Sequence, residues 1–196
     1  MPVPEDRTVA HRAPRPALRW QLQPSDMGRA VQFTVTETIA ATRDEVLRAL
    51  VDPGYYAHLG GAATSVRSPE LLAAAMDGGT IRTSVRYAFD GTISGPAAMV
   101  VDVDRLTWVI DTTYDTTAHT GTLVVLPDHY GGMLRCDGTV RLEDGGDGST
   151  VETVAGRLRV KVPLVSGAAE QAIFGGFRRH LELEAVAMAA YCADLR

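Results

Sequence analysis

The stretch LVSGAAEQAIFGGFRRHLELEAVAMAAYCAD, residues 164–194, decides the fold. Ala169, Ile173, Phe177, Leu181, Ala185 and Met188 recur through it at near-helical spacing, which predicts one long helix with an apolar stripe. A lone stripe of this kind needs an apolar surface to lie on. A strongly curved antiparallel sheet offers one and leaves space between the two layers, where small apolar molecules can bind. Gly175 and Gly176 interrupt the helix, and each costs about 1 kcal/mol against alanine. Close approach of the helix to the sheet is the expected reason; a kink is the alternative.

Working back from that helix, the chain reads mostly as strand. Val31, Phe33 and Val35 alternate with Gln32, Thr34 and Thr36, the period-two pattern of a half-buried strand. Thr42 and Glu45 then form a capping box, in which each side chain satisfies an orphan backbone N–H of the other. The stripe Val46, Leu47, Leu50, Val51 makes a short helix. Asp52-Pro53 ends it and starts a second, with Tyr55, Tyr56 and Leu59 on its apolar side and Gly60-Gly61 as its stop.

Residues 70–76 favour helix by composition, but the turn Asp77-Gly78-Gly79 that follows argues for a hairpin and hence a strand. Ile81, Thr83, Val85, Tyr87 and Phe89 give the return strand one face, and Arg82, Ser84 and Arg86 the other. Residues 91–96 read as a loop and 97–103 as an apolar bridge. Leu106, Trp108 and Ile110 mark another strand, and residues 123–126 a further one after a break at Gly121. Leu134, Cys136, Gly138, Val140 and Leu142 alternate with charged and polar neighbours. A polar turn at 144–148 leads to a last strand over 150–162, with Val154, Leu158, Val160 and Val162 facing away from Arg157, Arg159 and Lys161. Those three bases share a face that reads as the solvated outside of the sheet.

Residues 1–28 stand apart. Pro2, Pro4, Pro14, Pro16 and Pro24 are interleaved with Arg7, Arg12, Arg15 and Arg19, a composition that favours a flexible arm ahead of a domain at 29–196. Trp20 within it can dock on the domain or on a partner. The chain of 196 residues suits one domain with a core of ordinary size. A net charge of −5 argues against nucleic acid as a partner, and no apolar run is long enough for an integral membrane segment. Cys136 and Cys192 have no partners at metal or disulfide-framework spacing and read as small buried hydrophobes, which suits a cytoplasmic protein.

The ionisable residues do not spell out a reaction. His11, His58, His119, His129 and His180 include no zinc-spaced pair, no Gly-x-Ser-x-Gly elbow occurs, and no glycine stretch leads into a phosphate-binding fingerprint. Neither a metal nor a cofactor is expected. Pro127-Asp128-His129-Tyr130 could form an acid–base set, but neighbours in a turn point apart and turn chemistry is the better reading. His180, three residues beyond Phe177, reaches the apolar face as a satisfied core histidine or as an anchor for a ligand's polar end. The pairs Asp102/Asp104 and Asp111/Asp115 share strand faces, and Asp111 should face solvent.

The order β-α-α-β(6)-α resembles the START-like helix-grip (SRPBCC) superfamily, which includes the birch-pollen-allergen fold and polyketide cyclases. Val103-Asp104-Arg105-Leu106-Thr107-Trp108, Pro127-Asp128-His129-Tyr130-Gly131, Leu134-Arg135-Cys136 and Val162-Pro163-Leu164-Val165 are similar to an actinobacterial domain-of-unknown-function family within it. The resemblance implies an α+β fold with a seven-stranded curved antiparallel sheet wrapped on the C-terminal helix. It also implies a cavity for a small hydrophobic molecule, lipid-like or aromatic. Face alternation nominates Tyr87, Phe89, Trp108, Leu123, Cys136, Val154, Leu158, Ile173, Phe177, His180 and Met188 as its lining; each would serve equally in ordinary core packing. The alternatives are a cyclase or aromatase-type enzyme, which would need ionisable groups inside the cavity, and an interaction module using the arm.

Overall fold

Alternating apolar residues and short turns build the sheet first. The computed structural model describes residues 30–61, 66–90, 102–161 and 166–196. The chain runs β1 (Val31–Ile39), α1 (Arg43–Ala49), α2 (Pro53–Gly61), β2 (Val66–Asp77), β3 (Thr80–Phe89), a 3-10 turn (Val103–Arg105), β4 (Thr107–Asp115), β5 (Thr120–Pro127), β6 (Leu134–Gly146), β7 (Ser149–Val160) and α3 (Ser166–Asp194). The seven strands form one sheet in the order β1-β7-β6-β5-β4-β3-β2. Every neighbouring pair is antiparallel. This is the expected helix-grip arrangement. The arm at 1–28, the loop and bridge over 91–101, and Val162 lie outside the described residues.

Local chemistry accounts for the joints. Thr42 and Glu45 form the capping box: Glu45 N–H donates to Thr42 Oγ1 at 3.3 Å, and Thr42 N–H to Glu45 Oε2 at 2.7 Å. Arg196, the last residue, closes on the same carboxylate, its Nε 2.8 Å from Oε1. Pro53 opens α2, and the Asp52 carboxylate accepts from Gly54 N–H at 2.8 Å and from Tyr191 Oη at 2.7 Å, tying α2 to the end of α3. Residues 70–76 are indeed strand. Gly78 and Gly79 both hold positive φ (53° and 80°), the mirror-image turn that matches strand twist.

Some expectations need correcting. Gly121 does not break the chain before a strand; it lies inside β5 opposite Tyr114, where a Cβ would come within 2.7 Å of the tyrosine ring. β6 runs on to Gly146, leaving Asp147 and Gly148 as the turn. Asp102 and Asp104 sit in the 3-10 turn, not on strand backbone, and the Asp102 carboxylate accepts from Asp104 N–H. Gly175 and Gly176 are exposed, with nothing within 4 Å of an added Cβ, so close approach to the sheet does not explain them.

The core has two parts on the sheet's inner face. One gathers α1, α2 and the C-terminal half of α3 over Ile81, Val85, Tyr87 and Leu142. The other sets α3's Leu181, with Phe174 and Phe177, against Phe33, Val35, Leu123, Cys136, Val154 and Leu158. Phe33 meets Phe174 and Phe177 at ring distances of 5.7 and 5.3 Å. That contact sets the rotation of α3 and turns Ile173, expected inside, outward to 39% exposure.

Candidate functional site

Strand parity puts acids on the buried side of the sheet. In β1, Phe33, Val35 and Ile39 are buried, and Glu37 shares their parity. In β7, Thr150 and Val154 are buried, and Glu152 lies between them. The two glutamates are cross-strand partners, and the other neighbour of Glu152 is the buried Leu142. Glu152 keeps some accessible surface of its own, yet it lies deep in the fold, where surrounding protein replaces most of the bulk water. Burial, then the charges of Glu184 and Glu37, push its carboxyl up to about 8. It is a protonated acid near neutral pH.

Four further elements converge on the same region. From α2, the fully buried Tyr55 donates its hydroxyl to Glu184 Oε1 at 3.2 Å. From α3, His180 and Glu184 stand one turn apart, with Nε2 3.5 Å from Oε2. From β3, Tyr87 presents its ring edge-on to His180 at 5.3 Å and stacks with Trp108 at 6.1 Å. From β4, Tyr114 is 1% exposed. The Tyr55 and Tyr87 hydroxyls are raised well above their ordinary value, by burial first and by Glu184 next. Tyr114 is raised by burial and then by Glu152, with the Leu142 backbone N–H and then Arg43 on α1 opposing.

The site holds unmet hydrogen-bonding capacity. Both ring nitrogens of His180 are buried without a hydrogen-bond partner, the Glu184 oxygen lying near Nε2 but out of hydrogen-bond geometry, and the buried Tyr114 hydroxyl has the Leu142 backbone N–H near it but no well-aligned bond. His180 is 5% exposed, so the expected satisfied core histidine is not satisfied. Buried polar groups in this state cost about 1–3 kcal/mol each. Around them stand a protonated acid that can donate, a histidine backed by a carboxylate, and tyrosine hydroxyls that do either. Among the described residues, no group of three or more His, Cys, Asp or Glu could hold a metal ion.

The other nominated residues divide by position. Leu123, Cys136, Val154, Leu158 and Met188 are buried; Trp108 is half-buried against the first part of the core and Phe177 against the second. Phe89 is half-buried at the end of β3, with its N–H bonded to Leu106. His129 is exposed, and the neighbouring Asp128 carboxylate is bonded elsewhere. Asp128 pairs with Arg86 through two bonds of 3.1 and 3.2 Å, while Arg105 contacts His129 Nδ1 at 3.3 Å. Asp111 is exposed and accepts from Ser84 Oγ at 2.6 Å. An open groove of about 630 Å³ lies on the outer face of the sheet, among Thr80, Arg82, Thr113, Thr122, Thr139 and Arg141. Its rim is exposed threonine and charge, and the buried polar groups are on the opposite face.

Glu152, Glu184, Tyr55 and Tyr114 are absent from the residues that face alternation nominated. Parity alone could have flagged Glu152, two residues from Val154, and Glu184 lies four residues beyond His180 and four before Met188.

A family model described as a protein of unknown function (DUF2505) matches residues 34–192. No curated protein matches the chain. Among solved structures, it is similar to a protein from Thermus thermophilus at TM-score 0.59 and 15% identity, covering 84% of this chain and 99% of the other. The Zhui aromatase/cyclase from Streptomyces sp. R1128 also gives 0.59, at 16% identity, covering 85% and 96%. A START superfamily protein from Mycobacterium smegmatis gives 0.50 at 16% identity, covering 84% and 99%. At such identities the likeness is one of fold. Among the described residues no helix is long and apolar enough to cross a membrane.

Proposed function

The chain belongs to the DUF2505 family, and we propose that it binds a small molecule with an apolar body and a polar end between the sheet and α3. The observation that carries this reading is the pair of buried ring nitrogens of His180 without a hydrogen-bond partner, beside Glu184, whose charge acts on Glu152. A ligand's polar end would satisfy them, while its apolar body would lie along residues such as Leu123, Cys136, Leu158, Phe177 and Met188. Apolar burial contributes about 25 cal/mol per Å², and the polar end fixes orientation. A cytoplasmic setting suits two buried free cysteines.

Native mass spectrometry of the full chain, followed by organic extraction, tests the reading. A stoichiometric small molecule supports it. Protein that carries nothing, and gives no enhancement of an apolar fluorescent probe, counts against it.

A second reading follows from the His180–Glu184 pair at 3.5 Å. Glu152 can give a proton and His180, backed by Glu184, can take one, the pairing an acid–base enzyme of cyclase or aromatase type would use. Chemical change of the extracted molecule on incubation with protein would separate this from simple carriage.

A further inference from the structure

The balance of charge under α3 bears on which polar end fits there. Glu37 and Glu152 face one another across the β1–β7 ladder, on the side lined by Phe33, Val35 and Val154. Glu184 comes down from α3, hydrogen-bonded by Tyr55. The groups that act on Glu152 are both negative, Glu184 and Glu37. Arg43 on α1 is a cation that acts on Tyr114 and is not among those acting on Glu152. The remaining groups facing this region, among the described residues, are His180 on α3 and the hydroxyls of Tyr55, Tyr87, Tyr114 and Tyr56, the last already donating to the Leu50 carbonyl. Carboxyl oxygens, an imidazole nitrogen and phenol oxygens all accept hydrogen bonds. An ammonium brings three donors and one positive charge, and tyrosine ring faces also attract cations. A carboxylate end, as on a fatty acid, would meet like charge instead.

On the ligand-binding reading above, we infer that the region under α3 takes an apolar amine, whose ammonium sits among Glu152, Glu184 and His180. The independent sign of a ligand there is His180, buried to 5% exposure beside these acids with neither ring nitrogen hydrogen-bonded. Entry of the cation favours the ionised form of Glu152, so a proton leaves its carboxyl as the amine binds. The proton passes to solvent buffer, and no bond in the ligand changes.

The experiment compares three probes of one shape, phenethylamine, 2-phenylethanol and 3-phenylpropionate, by calorimetry on the full chain near neutral pH. The expected result is that the amine binds at least about tenfold tighter than the alcohol, the factor one charge-assisted hydrogen bond supplies, and that the propionate binds least. Repeating the titration in buffers of different ionisation enthalpy should show close to one proton released per amine bound. Glu152→Gln should abolish the proton release and most of the preference. Glu184→Gln should weaken the amine more than the alcohol. Propionate or alcohol binding as tightly as the amine would overturn the cation assignment and leave the binding site standing. Failure of all three, together with an apolar fluorescent probe, would overturn both.

Discussion

Glu152 stands opposite Glu37 in the β1–β7 ladder, on the face of the sheet that carries the buried Phe33, Val35 and Val154. Like charges directly opposite one another destabilise a sheet, and on a covered face water relieves them only in part. A proton does so fully, and Glu152 retains one up to about pH 8.

That proton makes stability depend on pH with a defined sign. A carboxyl near 4.5 in the unfolded chain and about 8 in the folded one binds more protons when folded, so its contribution is complete below 4.5 and is lost as pH rises through 8. Denaturant unfolding of the wild type should show stability falling between these limits, by at most about 1.4 kcal/mol per pH unit. Glu152→Gln, which cannot ionise, should flatten that slope and overtake the wild type on the alkaline side. An unchanged slope in the variant would assign the dependence to another group.

His180→Phe removes two buried nitrogens that have no hydrogen-bond partner while keeping a ring edge against Tyr87. The variant should be more stable by about 1 kcal/mol, since an unsatisfied buried group costs about that much or more, and it should lose capture of the polar-ended ligand. His129→Ala should change neither, staying within about 0.5 kcal/mol as exposed positions do. Thermal melts with and without extracted ligand check both variants. A large loss of stability in His180→Phe would mark the histidine as structural.

The glycines should respond in opposite directions. A Cβ at Gly156 would come within 2.5 Å of the Asp137 carbonyl oxygen and 2.9 Å of the Phe33 ring. Gly156→Ala should therefore cost about 1–3 kcal/mol through overpacking. Gly175→Ala and Gly176→Ala meet nothing within 4 Å, and each should add up to about 1 kcal/mol from helix propensity. Chemical denaturation of the three variants reads the contrast. Destabilisation at Gly175 or Gly176 would point to a need for flexibility in α3.

Thr42→Ala removes the cap of α1, losing the Glu45 N–H bond to Thr42 Oγ1. It should cost about 1 kcal/mol, the usual worth of such a cap. Glu45, held down to about 2 by Arg196 and then by Thr42, contributes stability that is present above its unfolded value near 4.5 and lost as pH falls towards 2. Arg196→Ala should shift the acid unfolding midpoint upward. An acid midpoint identical to the wild type would show that the C-terminal residue does not hold the helix start.

The sheet and its closing helix could be read from alternation and periodicity because those patterns are local. Val31, Phe33 and Val35 announce β1, the capping box announces α1, and the turn at Gly78-Gly79 settles β2 against its alanine-rich composition. The candidate site was harder for a physical reason. His180 and Tyr87 stood out as residues on apolar faces, but their neighbours Tyr55 and Glu184 meet only when α2 and α3 pack, residues 129 apart in sequence. Glu152 was hidden by the expectation that strand charges face water, although its parity with Val154 put it inside. Gly121 shows the reverse case: a residue that looks like a chain breaker is needed within a strand because Tyr114 lies over it.

The most direct test is a carbon-13 NMR titration of the Glu152 side-chain carboxyl in the full chain, assigned by comparison with Glu152→Gln. A midpoint near 8 is expected if an un-ionised acid stands beneath α3 among Glu37, Glu184 and His180. A midpoint near 4.5, the value of a free carboxyl, would place Glu152 in water and contradict the buried polar site.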